Sequence, residues 1–243
     1  MESWKDRLIV ALDMSELHEA EKLLRQLEGA VSFYKIGMEL FTAEGWKAVD
    51  LVKRFGARVF LDLKFHDIPH TVEKTLGVVC EHQIDMVNIH TLGGYEMMCR
   101  AAQAVHSRAS VSSPTPILLG VTVLTSHTSV QLSEELGIGK SVVETVLDLA
   151  RLAQRAGLDG VVSSPQEVGS LRKIFPRDFC VVTPGVRPSG AQQDDQKRVM
   201  TPQEALAAGS SYIVMGRPIT GTPDPKARVH EILGSLKPSK KTF

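Results

Sequence analysis

Eight short runs of apolar and β-branched residues recur along the 243-residue chain, and helical patterns lie between most of them. Near-continuous apolar runs of this length are typical of strands that are buried on both faces of a parallel sheet. Eight such strands alternating with helices in about 240 residues fit a closed (β/α)₈ TIM barrel. The predicted strands lie near Leu8–Leu12, Phe33–Ile36, Arg58–Leu63, Met86–Ile89, Ile117–Leu124, Gly160–Ser163, Cys180–Thr183 and Tyr212–Met215.

An open, doubly wound sheet is the structural alternative. The dinucleotide-binding form of that fold carries a Gly-x-Gly-x-x-Gly turn after its first strand, whereas the first apolar run here ends in Ala11-Leu12-Asp13. No internal repeat, low-complexity segment or evident linker divides the chain. We therefore expect residues 1–243 to form a single barrel domain, with a flexible, solvated tail at residues 237–243.

Several helix boundaries are marked by residues with known end preferences. Ser15 is suited to cap the first helix, Gly56 follows the second and Pro69 opens the third. The clearest signal is Thr201-Pro202-Gln203-Glu204, which combines a capping box with proline at the first helical position. These signals predict helices between the strands.

The composition narrows the class of protein. Lys and Arg together number 28, as do Asp and Glu, so no global basic field favours binding to nucleic acid or to an anionic membrane. Three cysteines without a Cys-x-x-Cys pair argue against a disulfide framework or structural zinc and indicate a reducing cytoplasm. The first residues resemble neither a signal nor a transit peptide, and the longest apolar segment, Pro116 to Leu124, is far shorter than the ~20 residues that span a bilayer.

The third apolar run ends in an alternating set of charges. In an extended strand, Asp62 and Lys64 project from one face, and Pro69 places Asp67 where the strand has ended. Two carboxylates would thus bracket one ammonium group at the end of a strand where parallel α/β folds bind ligands. The alternative is a salt-bridged trio on a solvated rim; because buried charges are rare unless paired or functional, we favour a functional site.

Polar residues also stand at the other predicted strand ends, which a barrel would bring to one mouth. They are Asp13, Lys35, Asn88, His90, Thr125, Ser126, Ser163 and Ser164.

The ends of strands seven and eight carry a pattern that favours phosphate. Gly185 and Gly216 allow close approach of a ligand to the backbone, and Arg187 and Arg217 supply guanidinium groups that match phosphate oxygens. In barrels, the loops after these two strands commonly form a phosphate site. Surface ion pairs are the alternative for either arginine alone. Together they predict a phosphorylated substrate.

A metal site is the main alternative for the carboxylates, since Asp13, Asp62 and Asp67 have oxygen ligands suited to a divalent ion. Lys35 and Lys64 argue against it, because two ammonium groups already neutralise this cluster. A histidine at a strand end, such as His90, is more often structural than catalytic. We expect no metal.

Several short blocks of the sequence resemble those of a known family. Asp62-Leu63-Lys64-Phe65-His66-Asp67-Ile68-Pro69 with Thr71 closely resembles the signature of the orotidine 5′-phosphate decarboxylases, which catalyse the last step of UMP synthesis. Further blocks match in the same order over nearly the whole chain, and their style resembles the bacterial stand-alone enzyme. They are Ala11-Leu12-Asp13, Phe33-Tyr34-Lys35-Ile36-Gly37, Asn88-Ile89-His90 with Gly93-Gly94, Val123-Leu124-Thr125-Ser126, Pro184-Gly185-Val186-Arg187-Pro188, Asp195-Gln196 with Arg198, and Gly216-Arg217-Pro218-Ile219.

The resemblance implies a role for each matched residue. Lys64 would donate a proton to C6 of the pyrimidine, Asp62 would lie beside the substrate carboxylate, and no cofactor would be needed. Asp67 and Thr71 would reach the active site of a second subunit, which implies a homodimer. Asp13 and Lys35 would bind the ribose hydroxyls and help to complete the charge network. The remaining implied substrate contacts are Thr125 and Ser126 at the pyrimidine, Arg187, Gln196, Gly216 and Arg217 at the phosphate, and His90.

Two other functions remain open at the level of the sequence. A metal-dependent sugar-phosphate decarboxylase or epimerase has a related Asp-x-Lys-x-x-Asp motif on the same barrel, but Ile68, Pro69 and Gln196 favour the orotidylate family. A nucleotide-phosphate binding protein that has lost turnover would not need both aspartates and Lys64. One departure from the family pattern is His70, where relatives often have asparagine.

Overall fold

The computed structural model describes residues 4–108, 115–188 and 200–236, and its strands form a closed parallel barrel. The strands pair in chain order, and the eighth closes the ring on the first through the register pair Leu8 and Ile213. The predicted (β/α)₈ barrel is therefore confirmed. The strands are β1 Leu8–Leu12, β2 Phe33–Gly37, β3 Arg58–Phe65, β4 Met86–His90, β5 Ile117–Val121, β6 Gly160–Val162, β7 Cys180–Thr183 and β8 Tyr212–Met215.

Helices lie between the strands and pack around the barrel, with short 3₁₀ helices at Trp4–Arg7, Thr91–Gly93 and Pro165–Glu167. In the described parts of the chain, every helix is too short or too polar to cross a membrane. The α-helices are α1 Leu17–Leu27, α2 Met38–Glu44, α3 Trp46–Arg54, α4 Pro69–Glu81, α5 Gly94–His106, α6 Ser129–Glu134, α7 Val142–Arg155, α8 Val168–Arg172, α9 Pro202–Ala208, α10 Arg217–Thr220 and α11 Pro225–Ser235.

The strand predictions hold for all eight strands, with differences at some C-terminal ends. β5 was expected to reach Leu124 but ends at Val121. Val121 pairs with His90 on one side and Val162 on the other, and both neighbouring strands end there, so the ladder has no further partners. β3 instead runs two residues beyond its expected end, to Phe65.

The helix signals are confirmed except for the first. Pro69 opens α4, and the Thr201 capping box with proline at the next position opens α9. Gly56 follows α3 with a φ of +66°, but an extra helix, α2, precedes it. The prediction of Ser15 as a cap is wrong: Glu16 holds that position in extended conformation, with no side-chain hydrogen bond to the helix.

Large apolar side chains fill the barrel interior on its N-terminal side. Phe33 and Tyr212 meet edge to face with ring centroids 5.8 Å apart, and Ile9, Met86 and Leu119 are fully buried around them. A second, larger cluster lies between the strands and the surrounding helices. This interior cluster fills the N-terminal part of the barrel, so the open space lies at the C-terminal mouth.

The residue just before each even-numbered strand stands at the same place in the barrel. Three of these side chains accept a hydrogen bond from the backbone N–H of the second residue of the preceding strand. They are Asp85 from Val59 at 2.8 Å, Asp159 from Leu118 at 2.7 Å and Ser211 from Val181 at 3.0 Å. The fourth, Ser32, has a buried hydroxyl without a hydrogen-bond partner among the described residues.

Ser211 and Ser32 therefore allow a matched test of whether these hydrogen bonds stabilise the base of the barrel. Ser211→Ala leaves the buried N–H of Val181 without its acceptor, so we expect it to lower the free energy of unfolding by about 1–3 kcal/mol. Ser32→Ala removes a hydroxyl that makes no bond and should be nearly neutral. Urea unfolding of both variants measures the difference, and equal losses would contradict the role given to Ser211.

Candidate active site

A cavity of about 240 Å³ opens at the C-terminal mouth of the barrel. Its floor includes Ala11, Phe60 and Val214, which form the top of the interior apolar cluster. Charged side chains line it near the ends of β1 to β3, arginines line it after β7 and β8, and apolar residues line it after β5. One side of the cavity therefore suits a polar reaction centre and another suits an apolar ring.

Four of the lining side chains form a row of alternating charge. Nζ of Lys35 lies 2.9 Å from Oδ1 of Asp13 and 3.5 Å from Oδ2 of Asp62. Nζ of Lys64 lies 2.7 Å from the other oxygen of Asp62. The side chains of Lys35 and Asp62 are only 12% and 13% exposed, whereas Asp13 is 54% exposed. The Asp62 carboxylate is thus held in the interior between two ammonium groups.

The lysines keep this buried carboxylate ionised. Burial alone would raise the pKa of Asp62, but Lys35 and Lys64, together with hydrogen bonds from Lys64 and Asn88, hold that pKa below its usual value. Burial alone would lower the pKa of Lys35, but Asp62 and Asp13 raise it above its usual value. Opposite charges therefore persist at neutral pH on Lys35 and Asp62, whose side chains are largely buried.

The contact between Asp62 and Lys64 does not come from the regular strand alternation that the sequence suggested. β3 pairs with β4 through Leu61 and Val87, and the next pair is Phe65 and Ile89, so three residues of β3 lie opposite one residue of β4. Lys64 has a φ of +52°, in the left-handed region that non-glycine residues seldom occupy. A bulge therefore aims both side chains into the cavity.

Asn88 is the single β4 residue opposite this bulge, and it is completely buried. Its Oδ1 accepts a hydrogen bond from the backbone N–H of Lys64 at 2.8 Å, and its Nδ2 donates to Asp62 Oδ1 at 2.7 Å. From the sequence, Asn88 was expected at the mouth of the barrel without a specific role. An amide inside the apolar run Met86–Ile89 was the signal that could have drawn attention to it.

Two glycines leave room for the outer part of the charged row. A Cβ on Gly37 would lie 2.9 Å from Lys35 Nζ, although its backbone, with φ of −90°, is open to any residue. A Cβ on Gly216 would lie 3.2 Å from Asp13 Oδ2. These positions are therefore restricted by space beside Asp13 and Lys35.

The loops after β7 and β8 place the predicted phosphate ligands in the cavity wall. Gly185, Arg187, Gly216 and Arg217 all line the cavity. Gly185 has a φ of +78°, which favours glycine. Arg187 is 8% exposed, and its backbone N–H donates to Met200 O at 3.0 Å, which anchors the backbone of this residue in the wall.

The other predicted site residues lie in different places. Thr125 lines the cavity, whereas Ser126 is exposed and does not line it. Asp67 and Thr71 are exposed outside the cavity, and Asp67 Oδ1 accepts a hydrogen bond from its neighbour's N–H at 2.7 Å. Within one chain, then, Asp67 does not complete a trio around Lys64. Gln196 lies outside the described residues.

His90 lines a second, smaller cavity beside the first, where Val123 and Leu124 form a shared wall. Its ring lies 5.5 Å from that of His66, and Nδ1 faces the Leu92 N–H at 3.4 Å. Burial, with the nearby charges of His66, Lys64 and His127, lowers the pKa of His90 to about 4. The ring is therefore neutral at pH 7.

The described residues contain no group of three His, Cys, Asp or Glu side chains arranged to hold a metal ion. Asp62, one of the three carboxylates weighed as ligands, has both oxygens directed at lysine ammonium groups.

Comparison with known proteins gives a consistent result. Residues 6–232 match the model of the orotidine 5′-phosphate decarboxylase / HUMPS family. The chain is 47% identical to the orotidine 5′-phosphate decarboxylase of Moorella thermoacetica over 96% of this chain and 93% of that protein. It is 48% identical to the enzyme of the same name from Syntrophotalea carbinolica over 96% of this chain and 95% of that protein.

Solved structures agree with the sequence relatives. The crystal structure of orotidine 5′-phosphate decarboxylase from Lactobacillus acidophilus superposes with a TM-score of 0.84 at 37% identity, covering 96% of this chain and all of that one. A conserved uncharacterised protein from Geobacillus kaustophilus gives a TM-score of 0.83 at 37% identity, covering 94% of this chain and 99% of that one.

The low pKa of His90 predicts how stability depends on pH. Between about pH 6.5, the usual value for an unfolded histidine, and about pH 4, the unfolded chain binds a proton that the folded chain does not. The free energy of unfolding should therefore rise with pH across this window. His90→Asn removes the titrating ring and should flatten the rise, as measured by urea unfolding at several pH values. The same slope in both proteins would contradict this assignment.

Proposed function

The chain belongs to the orotidine 5′-phosphate decarboxylase / HUMPS family, and we propose that it converts orotidine 5′-monophosphate to UMP and CO₂, the last step of de novo pyrimidine nucleotide synthesis. The observation that carries the proposal is the buried Lys35–Asp62–Lys64 cluster at the mouth of a barrel whose relatives share 47% and 48% identity over nearly their full length. The proposal also includes that the chain is a single domain, that it acts in the cytoplasm and that it needs no cofactor.

The cavity offers a place for each part of this substrate. Arg187 and Arg217, with Gly216, would bind the phosphate through guanidinium and backbone N–H groups. Asp13 and Lys35 would bind the ribose hydroxyls. The pyrimidine would lie against the apolar wall after β5 and contact Thr125. Gln196 would join the phosphate ligands, and Ser126 and His90 would approach the ring from the loop side.

The chemistry requires electrostatic stabilisation at one carbon. When the bond from C6 to the carboxylate breaks, CO₂ leaves and the electron pair stays on C6, where no carbonyl is placed to delocalise it. Lys64 would stabilise this developing charge and then transfer a proton from Nζ to C6, which gives UMP. Lys64 would regain its proton from solvent after product release.

Asp62 would act on the leaving group and on Lys64 together. Its carboxylate would lie beside the substrate carboxylate and repel it, which favours departure of CO₂. Its low pKa supports this role, because the group stays charged although it is buried. Asp62 also holds Nζ of Lys64 at 2.7 Å. Binding energy from the distant phosphate would be realised mainly in the transition state, where these contacts act on the reacting carbon.

The metal-dependent barrel enzymes of sugar-phosphate chemistry are less well supported. A divalent ion at Asp62 would have to displace two ammonium groups, at 2.7 Å and 3.5 Å, that already neutralise it.

We also propose that the active unit is a homodimer in which Asp67 and Thr71 reach the cavity of the other subunit. Both residues are exposed in a single chain, and Ile68 between them is 67% exposed. Leu92 and Tyr95, after β4, are exposed apolar residues as well. Exposed apolar side chains of this kind are common at subunit interfaces.

The role of Lys64 is tested by Lys64→Ala. This variant loses the proton donor and the positive charge at C6, so kcat should fall on the order of 10³-fold or more. Binding of UMP should remain detectable, because the phosphate ligands are intact. Lys22→Ala, at an exposed position on α1, serves as the control. Near-native turnover by Lys64→Ala would show that another group protonates C6.

The shared active site is tested by mixing two inactive variants, Lys64→Ala and Asp67→Ala. A hybrid dimer then contains one site with native Lys64 and native Asp67, so random pairing should restore about a quarter of the native activity. Mixing Lys64→Ala with Asp62→Ala is the matched control, since both residues line the same chain's cavity and no native site can form. Absence of recovery in the first mixture would contradict the shared site.

A further inference from the structure

The bulge in β3 creates a gap in the hydrogen bonding of the sheet. Between the pairs Leu61 with Val87 and Phe65 with Ile89, β3 contains three residues and β4 contains one. Lys64 falls in this gap with a φ of +52°, and its backbone N–H donates to a side chain. A buried N–H without an acceptor is costly, so the bulge needs a partner from another source.

The Asn88 side chain supplies that partner. A carboxamide has both an acceptor and a donor, like the peptide group that the ladder lacks at this point. The acceptor takes the Lys64 N–H at 2.8 Å and the donor binds Asp62 Oδ1 at 2.7 Å. Lys64 Nζ binds the same Oδ1 at 2.7 Å. The two ends of the bulge are therefore joined through one rigid, completely buried group.

We propose that Asn88 is a positioning residue for the decarboxylation proposed above: it fixes the Lys64 backbone and the Asp62 carboxylate relative to each other, so that Nζ and the carboxylate face the reacting carbon. Asn88 itself does not line the cavity, and it acts through the two residues that do. Its hydrogen bond also helps to keep the pKa of Asp62 low.

Two substitutions at this position separate positioning from simple packing. Asn88→Leu keeps the branching and the number of side-chain heavy atoms but is larger and has neither donor nor acceptor, so its unfolding midpoint must be compared with that of the native protein. Asn88→Asp keeps the acceptor for the Lys64 N–H and can donate to Asp62 only when its new carboxyl group is protonated. Thr122→Val is the control for the loss of a buried hydrogen bond, because the hydroxyl of buried Thr122 donates to Val162 O at 3.0 Å and not to Asp62.

The charges around position 88 determine the pH dependence of Asn88→Asp. Asp62 would share a proton with the new carboxyl group and raise its pKa, whereas Lys64 and Lys35 would lower it. β5 contains no ionisable side chain; on α5, Arg100 pairs with Glu96 and Glu73, and the His106 ring contacts Asp159. His90, two residues along β4, is neutral above about pH 4. Protonation at lower pH would restore a donor to Asp62.

Turnover of orotidine 5′-monophosphate, unfolding midpoints and UMP binding are measured for all four proteins. We expect kcat of Asn88→Leu to fall on the order of 10²-fold at every pH, because Lys64 Nζ and Asp62 lose their alignment. The kcat of Asn88→Asp relative to native should increase as the pH falls. UMP binding should change little, since the phosphate ligands are untouched, and Thr122→Val should keep native kcat.

Amide hydrogen exchange at Lys64 provides a readout that does not depend on turnover. Asn88→Leu should accelerate exchange of the Lys64 amide, and Thr122→Val should not. A native kcat in Asn88→Leu, a kcat of Asn88→Asp relative to native that does not change with pH, or unchanged exchange at Lys64 would overturn the inference.

If the native protein itself fails to turn over orotidine 5′-monophosphate, the proposed function fails, and the exchange measurement still decides whether Asn88 fixes the bulge. Asn88→Asp, which differs little in shape, keeps the test open if Asn88→Leu does not fold.

Discussion

The Asp62 carboxylate is the group on which the rest of the site depends. It is buried at the mouth of the barrel, where an unpaired negative charge would be strongly unfavourable. Lys35, Lys64 and Asn88 together offset that cost, and the two lysines are themselves held: Lys35 by Asp13, and the Lys64 backbone by Asn88. Removing any one partner leaves the others with an uncompensated charge or hydrogen bond.

The barrel makes this arrangement stable because its apolar core and its charged site occupy different parts of the interior. Apolar side chains such as Phe33, Met86 and Tyr212 fill the N-terminal part of the interior. At the base of the barrel, the side chains of Asp85, Asp159 and Ser211 accept hydrogen bonds from the backbone of the neighbouring strand. The strain of the β3 bulge and the burial of charge are confined to the C-terminal mouth. A site with fixed charges can reduce the reorganisation that the solvent would otherwise require during reaction.

The sequence predicted the barrel and most of the mouth because these depend on local patterns. The apolar runs predicted all eight strands. Charged residues at the strand ends were predicted to form the site, and six of them line the cavity: Asp13, Lys35, Asp62, Lys64, Arg187 and Arg217. The bulge could not be predicted, because it arises from the pairing of β3 with β4 and does not change the alternation of residue types along β3. The role of Asn88 follows from that pairing and was missed for the same reason. The space restriction at Gly37 likewise depends on where Lys35 Nζ lies in three dimensions.

The central claim is that fixed charges on this barrel decarboxylate orotidine 5′-monophosphate without a metal ion. The most direct measurement mixes the purified protein with this nucleotide in the presence of EDTA, follows the loss of orotate ultraviolet absorbance and identifies the product. The account predicts conversion to UMP and CO₂ with the chelator present. No conversion, with a sugar phosphate consumed only after a divalent ion is added, would contradict it and make Asp13, Asp62 and Asp67 candidate metal ligands. Tight nucleotide binding without any product would contradict it as well, in favour of a binding protein that has lost turnover.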